Sequence, residues 1–239
     1  MKKIAFLTDI HLDEDDPKHA GVDSYLNWER LLRDVSTYDV DMIVFGGDIG
    51  AASAYPWFFQ SLESYNYKFL LGNHDRFANA AGFYKDGDLA ANDELYYCNE
   101  DACFKYIFMD TSTEKVSAAQ FNWFNSQLAT DKTVVLFIHH PVLPVDTPVD
   151  RAYPLHGREA VLDALHNIPN KVYVFCGHYH MDDVQTNGNV TQYITPASSY
   201  QIIKEASEIE VSGSTFGYRL LTFDNDRVEE ELLVFGNEL

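Results

Sequence analysis

A chain of 239 residues, 46% apolar and 23% charged, has the composition of a globular protein and enough length to bury a sizeable core. Its formal net charge of −20 speaks against DNA, RNA and anionic membranes as partners, because polyanion binding needs lysine and arginine to neutralise phosphates. No apolar run approaches the roughly 20 residues that a membrane-spanning helix requires.

Short runs rich in β-branched and aromatic residues, each ending in polar or glycine residues, predict strands buried on both faces. The first is 3–8 (KIAFLT), followed by apolar residues spaced at three and four over 28–35 (WERLLRDV), a helical pattern. A strand over 41–45 (DMIVF) precedes a helix over 57–62, and a third strand covers 67–71 (YKFLL). The fourth, 104–109 (FKYIFM), leads to a helix over 118–128 with Ser117 placed to cap it. The fifth, 133–138 (TVVLFI), precedes a helix over 158–166, and the sixth is 172–175 (VYVF). Beyond His180 the texture turns to β: a hairpin around Asn187-Gly188, then strands over 216–223 and 227–235 separated by Asp224-Asn225-Asp226. The acidic run 13–16 reads as a loop. With no linker, repeat or low-complexity tract, one domain spanning 1–239 and built on two sheets is expected.

Asp9 interrupts the apolar start MKKIAFLTD too early for a secretory signal. Cys98, Cys103 and Cys176 form neither a CxxC pair nor an even disulfide set, which fits a reducing, cytoplasmic setting.

Ligand-type residues gather where the predicted strands end. Asp9-Ile10-His11 follows the first, Gly46-Gly47-Asp48 the second, Gly72-Asn73-His74-Asp75 the third, His139-His140 the fifth and Gly177-His178-Tyr179-His180 the sixth. Six of the nine histidines lie in these segments, and strand C-terminal ends in open α/β sheets converge on one crevice. In extended chain, residues i and i+2 point the same way, so Asp9 with His11, and His178 with His180, can each address one target. Carboxylate, imidazole and amide-oxygen donors suit borderline or hard first-row ions, and seven candidates exceed one tetrahedral site but suit two ions sharing a carboxylate. Any one of these motifs is compatible with an ordinary strand-end turn; five in order are not.

In this combination the chain resembles the calcineurin-like metallophosphoesterase superfamily, whose signature runs D-x-H, G-D, G-N-H-D/E, H and G-H-x-H. The resemblance extends over residues 3–200. It implies an α/β four-layer αββα sandwich, two mixed β-sheets flanked by helices, with a dinuclear centre of two divalent ions (Mn, Fe, Zn or a mixture) at the sheet edges. Carried over, Asp9, His11 and His180 bind the first ion, Asp48 bridges, and Asn73, His139 and His178 bind the second. Of the adjacent pair, His139 and not His140 is expected to ligate. His74 faces the substrate phosphate, and Asp75 orients His74 by a hydrogen bond. The arginines of the protein phosphatase motifs GDxxDRG and RGNHE are missing, and histidine stands at position 74 where diacylglucosamine pyrophosphatases carry arginine.

The compact length, His139-His140-Pro141 and the stretch 194–199 (ITPASS) after the last motif are most similar to class III cyclic-nucleotide phosphodiesterases. The implied reaction is hydrolysis of phosphoesters by a metal-bridging hydroxide, foremost of phosphodiesters such as 3′,5′-cyclic nucleotides. Phosphomonoester, nucleotide and glycerophosphodiester hydrolysis are the alternatives, followed by a non-catalytic scaffold, which the filled ligand positions disfavour. The expected partner is a small phosphoester, with neither nucleic acid polymer nor membrane; the oligomeric state stays open. The loop 143–157 is expected to border the pocket, and Arg76 and Arg151 to be solvated.

Overall fold

Alternation sorts the first strand, Lys2–Leu7 (β1), into two faces: Ile4 and Phe6 point one way, Ala5 and Leu7 the other, and all four are buried. A strand with no wet face needs a layer on each side, and the rest of the chain provides them. The computed structural model describes residues 1–85, 92–225 and 227–237.

After β1 come a short helix Asp15–His19 (α1) and the helix Ser24–Val35 (α2), which starts earlier than its apolar spacing predicts because the Asp23 carboxylate caps it through the Leu26 N–H (3.0 Å). Strand Met42–Phe45 (β2), helix Tyr55–Ser61 (α3), strand Tyr67–Phe69 (β3) and the single turn Phe77–Ala80 (α4) come next. The second half brings Tyr97–Glu100 (β4), Phe104–Met109 (β5) and Ala118–Gln127 (α5), with Ser117 capping as predicted, then Thr133–Ile138 (β6), Pro148–Ala152 (α6), Arg158–His166 (α7) and Val172–Cys176 (β7). A hairpin, Asp183–Asn187 (β8) with Val190–Ile194 (β9), precedes a two-stranded ribbon, Gln201–Ile202 (β10) with Val211–Ser212 (β11), and the strands Thr215–Asp224 (β12) and Arg227–Gly236 (β13).

One mixed sheet has the order β13-β12-β1-β2-β3 and the other β4-β5-β6-β7-β9-β8. Strands β1–β2–β3 and β5–β6–β7–β9 run parallel; antiparallel β12–β13, β4 and β8 flank them, and β3 forms the remaining edge of the first sheet. Between the sheets lie Ile4, Phe6 and Val44 against Phe108, Phe137 and Phe175. On the outer face of the first sheet, Trp28 and Leu31 of α2 and Phe58 of α3 pack on Leu7 and Phe45. Outside the second, Phe124 of α5 and Val161 and Leu165 of α7 cover Leu136 and Val174. The molecule is therefore the four-layer αββα sandwich.

The structure corrects two local expectations. The acidic run is not wholly loop, since Asp15 and Asp16 open α1, where carboxylates face the positive end of the helix. The hairpin turns on Gly188-Asn189 and not on Asn187-Gly188: Asn187 pairs with Val190, and Gly188 takes the positive φ of 59° that glycine accepts without strain. Of the connection 224–226, Asp226 lies outside the described residues.

Candidate active site

The C-terminal ends of β1, β2, β3, β6 and β7 open on one edge of the sandwich. Beyond them the backbone turns sharply: Asp9, His11, Asp48, His178 and His180 all have left-handed φ, of 57°, 50°, 60°, 68° and 45°. Such a conformation costs a non-glycine residue about 1–2 kcal/mol, and five together mark a place where local strain is held by the surrounding structure. Convergence of Asp9 with His11, and of His178 with His180, comes from these turns and not from the alternation of extended strands. The backbone amides tie the segments together, with Asp9 N–H donating to Gly47 O (2.9 Å), His11 N–H to Asp48 O (3.1 Å) and Gly177 N–H to His139 O (3.1 Å).

Besides the cluster of His11 with Glu14 and His74, two groups of ligand atoms result among the described residues, Asp9 with His11 and His180, and Asp48 with His139 and His178, the atoms within each lying no more than 4.8 Å apart. Oδ2 of Asp48 stands between them, 3.6 Å from Nε2 of His11 and 3.2 Å from Nε2 of His139. Oδ1 of Asp9 is 3.3 Å from Nε2 of His180 and 3.9 Å from Nε2 of both His11 and His139. Burial works against the charge of Asp9, yet His180 and His139 hold its carboxyl down to about 2. Burial also disfavours a charged His139, but Asp48 and Asp9 raise its ring to about 9.

Two observations show that this donor set fits metal ions. Nε2 of His139, which faces Asp48 Oδ2 without the alignment of a hydrogen bond, and Oδ1 of Asn73 are buried with no hydrogen-bond partner, a costly state that a bound cation would relieve. Each imidazole of the two groups also rests its other nitrogen on an oxygen: Nδ1 of His11 on Glu14 (2.7 Å), Nδ1 of His139 on Gly46 O (2.8 Å), Nε2 of His178 on Tyr153 O (2.9 Å) and Nδ1 of His180 on Tyr200 O (3.0 Å). Such contacts fix ring orientation and raise ligand basicity in metal sites. His140 instead turns Nδ1 to Thr111 Oγ1 (2.8 Å) and lies against the His178 ring, centroids 4.0 Å apart.

Residues 2–182 match the calcineurin-like phosphoesterase family. The chain belongs to that family. It is a hydrolase of phosphoester bonds, from a family with a dinuclear metal centre. It is 25% identical over 237 residues to a probable cyclic nucleotide phosphodiesterase of Fibrobacter succinogenes, covering 96% of this chain and 93% of that one. A protein of the same name from Xenorhabdus bovienii is 26% identical (94% and 96% covered), and the glycerophosphodiester phosphodiesterase GpdQ of Enterobacter lignolyticus 27% (68% and 64%). In fold the chain is similar to a dimetal phosphatase from Danio rerio, with TM-score 0.66 at 15% identity and 97% and 96% of the two chains covered. It is equally similar to GAP50, the anchor in the inner membrane complex of Plasmodium, with TM-score 0.66 at 14% identity and 97% and 84% covered.

The phosphoesterase departs from the expected arrangement at Asp75. Its carboxylate does not hold the His74 ring; it accepts from the backbone N–H of Asp48 (2.7 Å), Ile49 (3.0 Å) and Gly72 (3.0 Å) and from the Tyr55 hydroxyl (2.7 Å). Asp75 thus fastens the loop of Asp48 to the loop of Asn73, with both oxygens taken. Burial and then the nearby Asp48 raise its carboxyl to about 6. The His74 ring turns the other way, and its Nδ1 meets Oε1 of Glu14 at 3.1 Å. That contact is the main cause lifting His74 to about 9. Although burial opposes its charge, hydrogen bonds from His11 and His74 bring Glu14 down to about 2. Glu14 is the residue that sequence reasoning missed; its only signal was a place three residues after His11, inside an acidic run that reads as a loop.

A cavity of about 510 Å³ opens above these groups, floored by His11, Asp48, Asn73, His74, His178 and His180. From the 143–157 segment, Val149 and Tyr153 line it, whereas neither Arg76 nor Arg151 does. Arg151 is exposed and pairs with Asp146 (2.7 Å). Among the described residues no helix is long and apolar enough to cross a membrane.

Proposed function

We propose that the protein is a two-metal phosphodiesterase acting on small phosphodiesters, with 3′,5′-cyclic nucleotides the foremost class. The observation that carries this reading is the pair of ligand groups joined at Asp48, together with the orphaned donor atoms of His139 and Asn73. Asp9, His11 and His180 would hold one ion, Asn73, His139 and His178 the other, and Asp48 would serve both. Manganese, iron and zinc suit these donors. Two bound ions supply an activated water, orient the phosphate and offset charge on its oxygens.

The chain's own residues do the rest. Glu14 aligns His11 and His74 together, so the ring that meets substrate is fixed relative to a ligand. With Nδ1 held by Glu14, His74 has Nε2 left to donate toward the leaving oxygen, an effect of typically 10²–10⁴-fold. Asp75 keeps the loops of Asp48 and Asn73 in register. The preference for diesters rests on similarity along nearly the whole chain to proteins named for cyclic nucleotides, and glycerophosphodiesters are the second choice because GpdQ is also similar.

Hydrolysis of a panel by the Mn²⁺-loaded protein tests this: cyclic nucleotides, glycerophosphodiesters, nucleotides and phosphomonoesters. Diesters should turn over fastest, chelation should abolish the activity and Mn²⁺ restore it. Full activity in thoroughly metal-free protein would sink the mechanism, and monoesters as the better substrates would sink the diester assignment.

A further inference from the structure

The cavity is larger than a phosphate requires and falls in the size range of sites for whole small molecules. His11, Asp48 and His180 on its floor are buried, but its rim is not. There Asp16 and His19 of α1 face outward with Tyr153 after α6 and with Ile202, Ile209 and Val211 of the β10–β11 ribbon. Tyr153 is 59% exposed, Ile209 40% and Val211 49%, so three large apolar side chains from two segments share one pocket mouth in water. Clustered apolar exposure of this kind marks a binding surface.

Both segments are fixed to the metal-facing loop. The Tyr153 carbonyl accepts from His178 Nε2 (2.9 Å), and Ile202 N–H donates to His180 O (2.9 Å). Ile202 pairs with Val211 across the ribbon. On its other side the ribbon continues into Gly213, where an added Cβ would collide with the Ala20 carbonyl at the end of α1. The rim therefore has a set position relative to the reacting phosphate. Its one carboxylate is Asp16, Glu208 and Glu210 flank Ile209 in sequence, and none of the described residues lining the cavity is lysine or arginine.

We propose that this rim is a subsite for the ester arm that stays on the phosphate when the leaving oxygen departs, and that this arm carries an uncharged flat aromatic or heteroaromatic ring. The inference rests on the phosphodiesterase reading and deepens it. A ring laid between Tyr153 and the Ile209–Val211 edge covers apolar surface that a methyl or glycerol arm leaves wet. Asp16 and His19 offer polar contacts to ring-edge groups. An arm ending in carboxylate or phosphate meets Asp16 with no cation to offset it, so polyphosphates and acidic arms are selected against.

The test compares methyl, phenyl and 4-carboxyphenyl 4-nitrophenyl phosphates, which share one leaving group, with the Mn²⁺-loaded full chain. Each kcat/KM is divided by the rate of the uncatalysed reaction to remove the electronic effect of the arm. The phenyl arm should exceed the methyl arm by at least about tenfold, and the 4-carboxylate should remove most of that gain. In Ile209→Ser/Val211→Ser the phenyl-to-methyl ratio should fall toward one. A loss of folded protein lowers both rates alike and leaves the ratio, so the ratio reports the subsite. Equal turnover of all arms by the natural chain, or an unchanged ratio in the variant, overturns the subsite while leaving the hydrolase intact. Failure to turn over any diester with metal bound overturns both.

Discussion

His74 and Glu14 are sixty positions apart in sequence, and their contact decides what either can do. In the metal-free protein the His74 ring is lifted to about 9, above the roughly 6.5 of a free imidazole. The stability its proton gains from Glu14 is fully present below about 6.5 and is lost as pH rises through about 9. An NMR titration of the His74 ring should find its midpoint near 9, and Glu14→Gln should move it down toward 6.5. A midpoint unmoved by that substitution would dissociate the two residues. Asp75 teaches the same lesson from the other side. A motif gives which residues are adjacent, but not which way each side chain turns, and here Asp75 is consumed by backbone N–H groups of two loops.

At the scale of elements, the site is made by the turns at the strand ends. Gly177 shows why no side chain can stand there: a Cβ would run into Oδ2 of Asp9 and Oγ1 of Thr8. Gly177→Ala should cost about 1–3 kcal/mol through overpacking and weaken metal binding, because the displaced Asp9 carboxylate is one of the proposed ligands. At Gly82 a Cβ meets nothing within 4 Å, so Gly82→Ala should change neither. Urea unfolding and metal titration of the two variants check this; equal effects would mean that the close approach at Gly177 carries no weight. The long elements were legible because their cores repeat with strand or helix period over many residues. Strand β4, helix α6 and the β10–β11 ribbon were not, since they are short and lack the continuous apolar runs that mark the equally short β2 and β3.

For the molecule as a whole, bound metal should contribute to stability. Asp9 and Asp48 are buried carboxylates in a chain of net charge −20, and ions that bind only the folded state shift unfolding by mass action. Free Mn²⁺ at a hundredfold over its Kd should add about 2.7 kcal/mol, a rise in Tm of roughly 5–11 °C for a chain of this size. Asp48→Ala should abolish the rise. His166→Ala should keep it, because that ring lies on the surface against Asn187 O (3.2 Å). A Tm indifferent to chelation would contradict the metal assignment.

The sequence by itself determined the class of the fold and the kinds of donor at its edge. Hydrophobic period and the spacing of aspartate, asparagine and histidine after successive strands are local properties, written in consecutive residues. Only the tertiary structure decided that His139 and not His140 turns to Asp48, that Glu14 and not Asp75 holds His74, and that an apolar rim stands over the floor. Each of these depends on side chains from distant segments competing for the same space and the same hydrogen bonds, and such competition is settled only when the two sheets have packed.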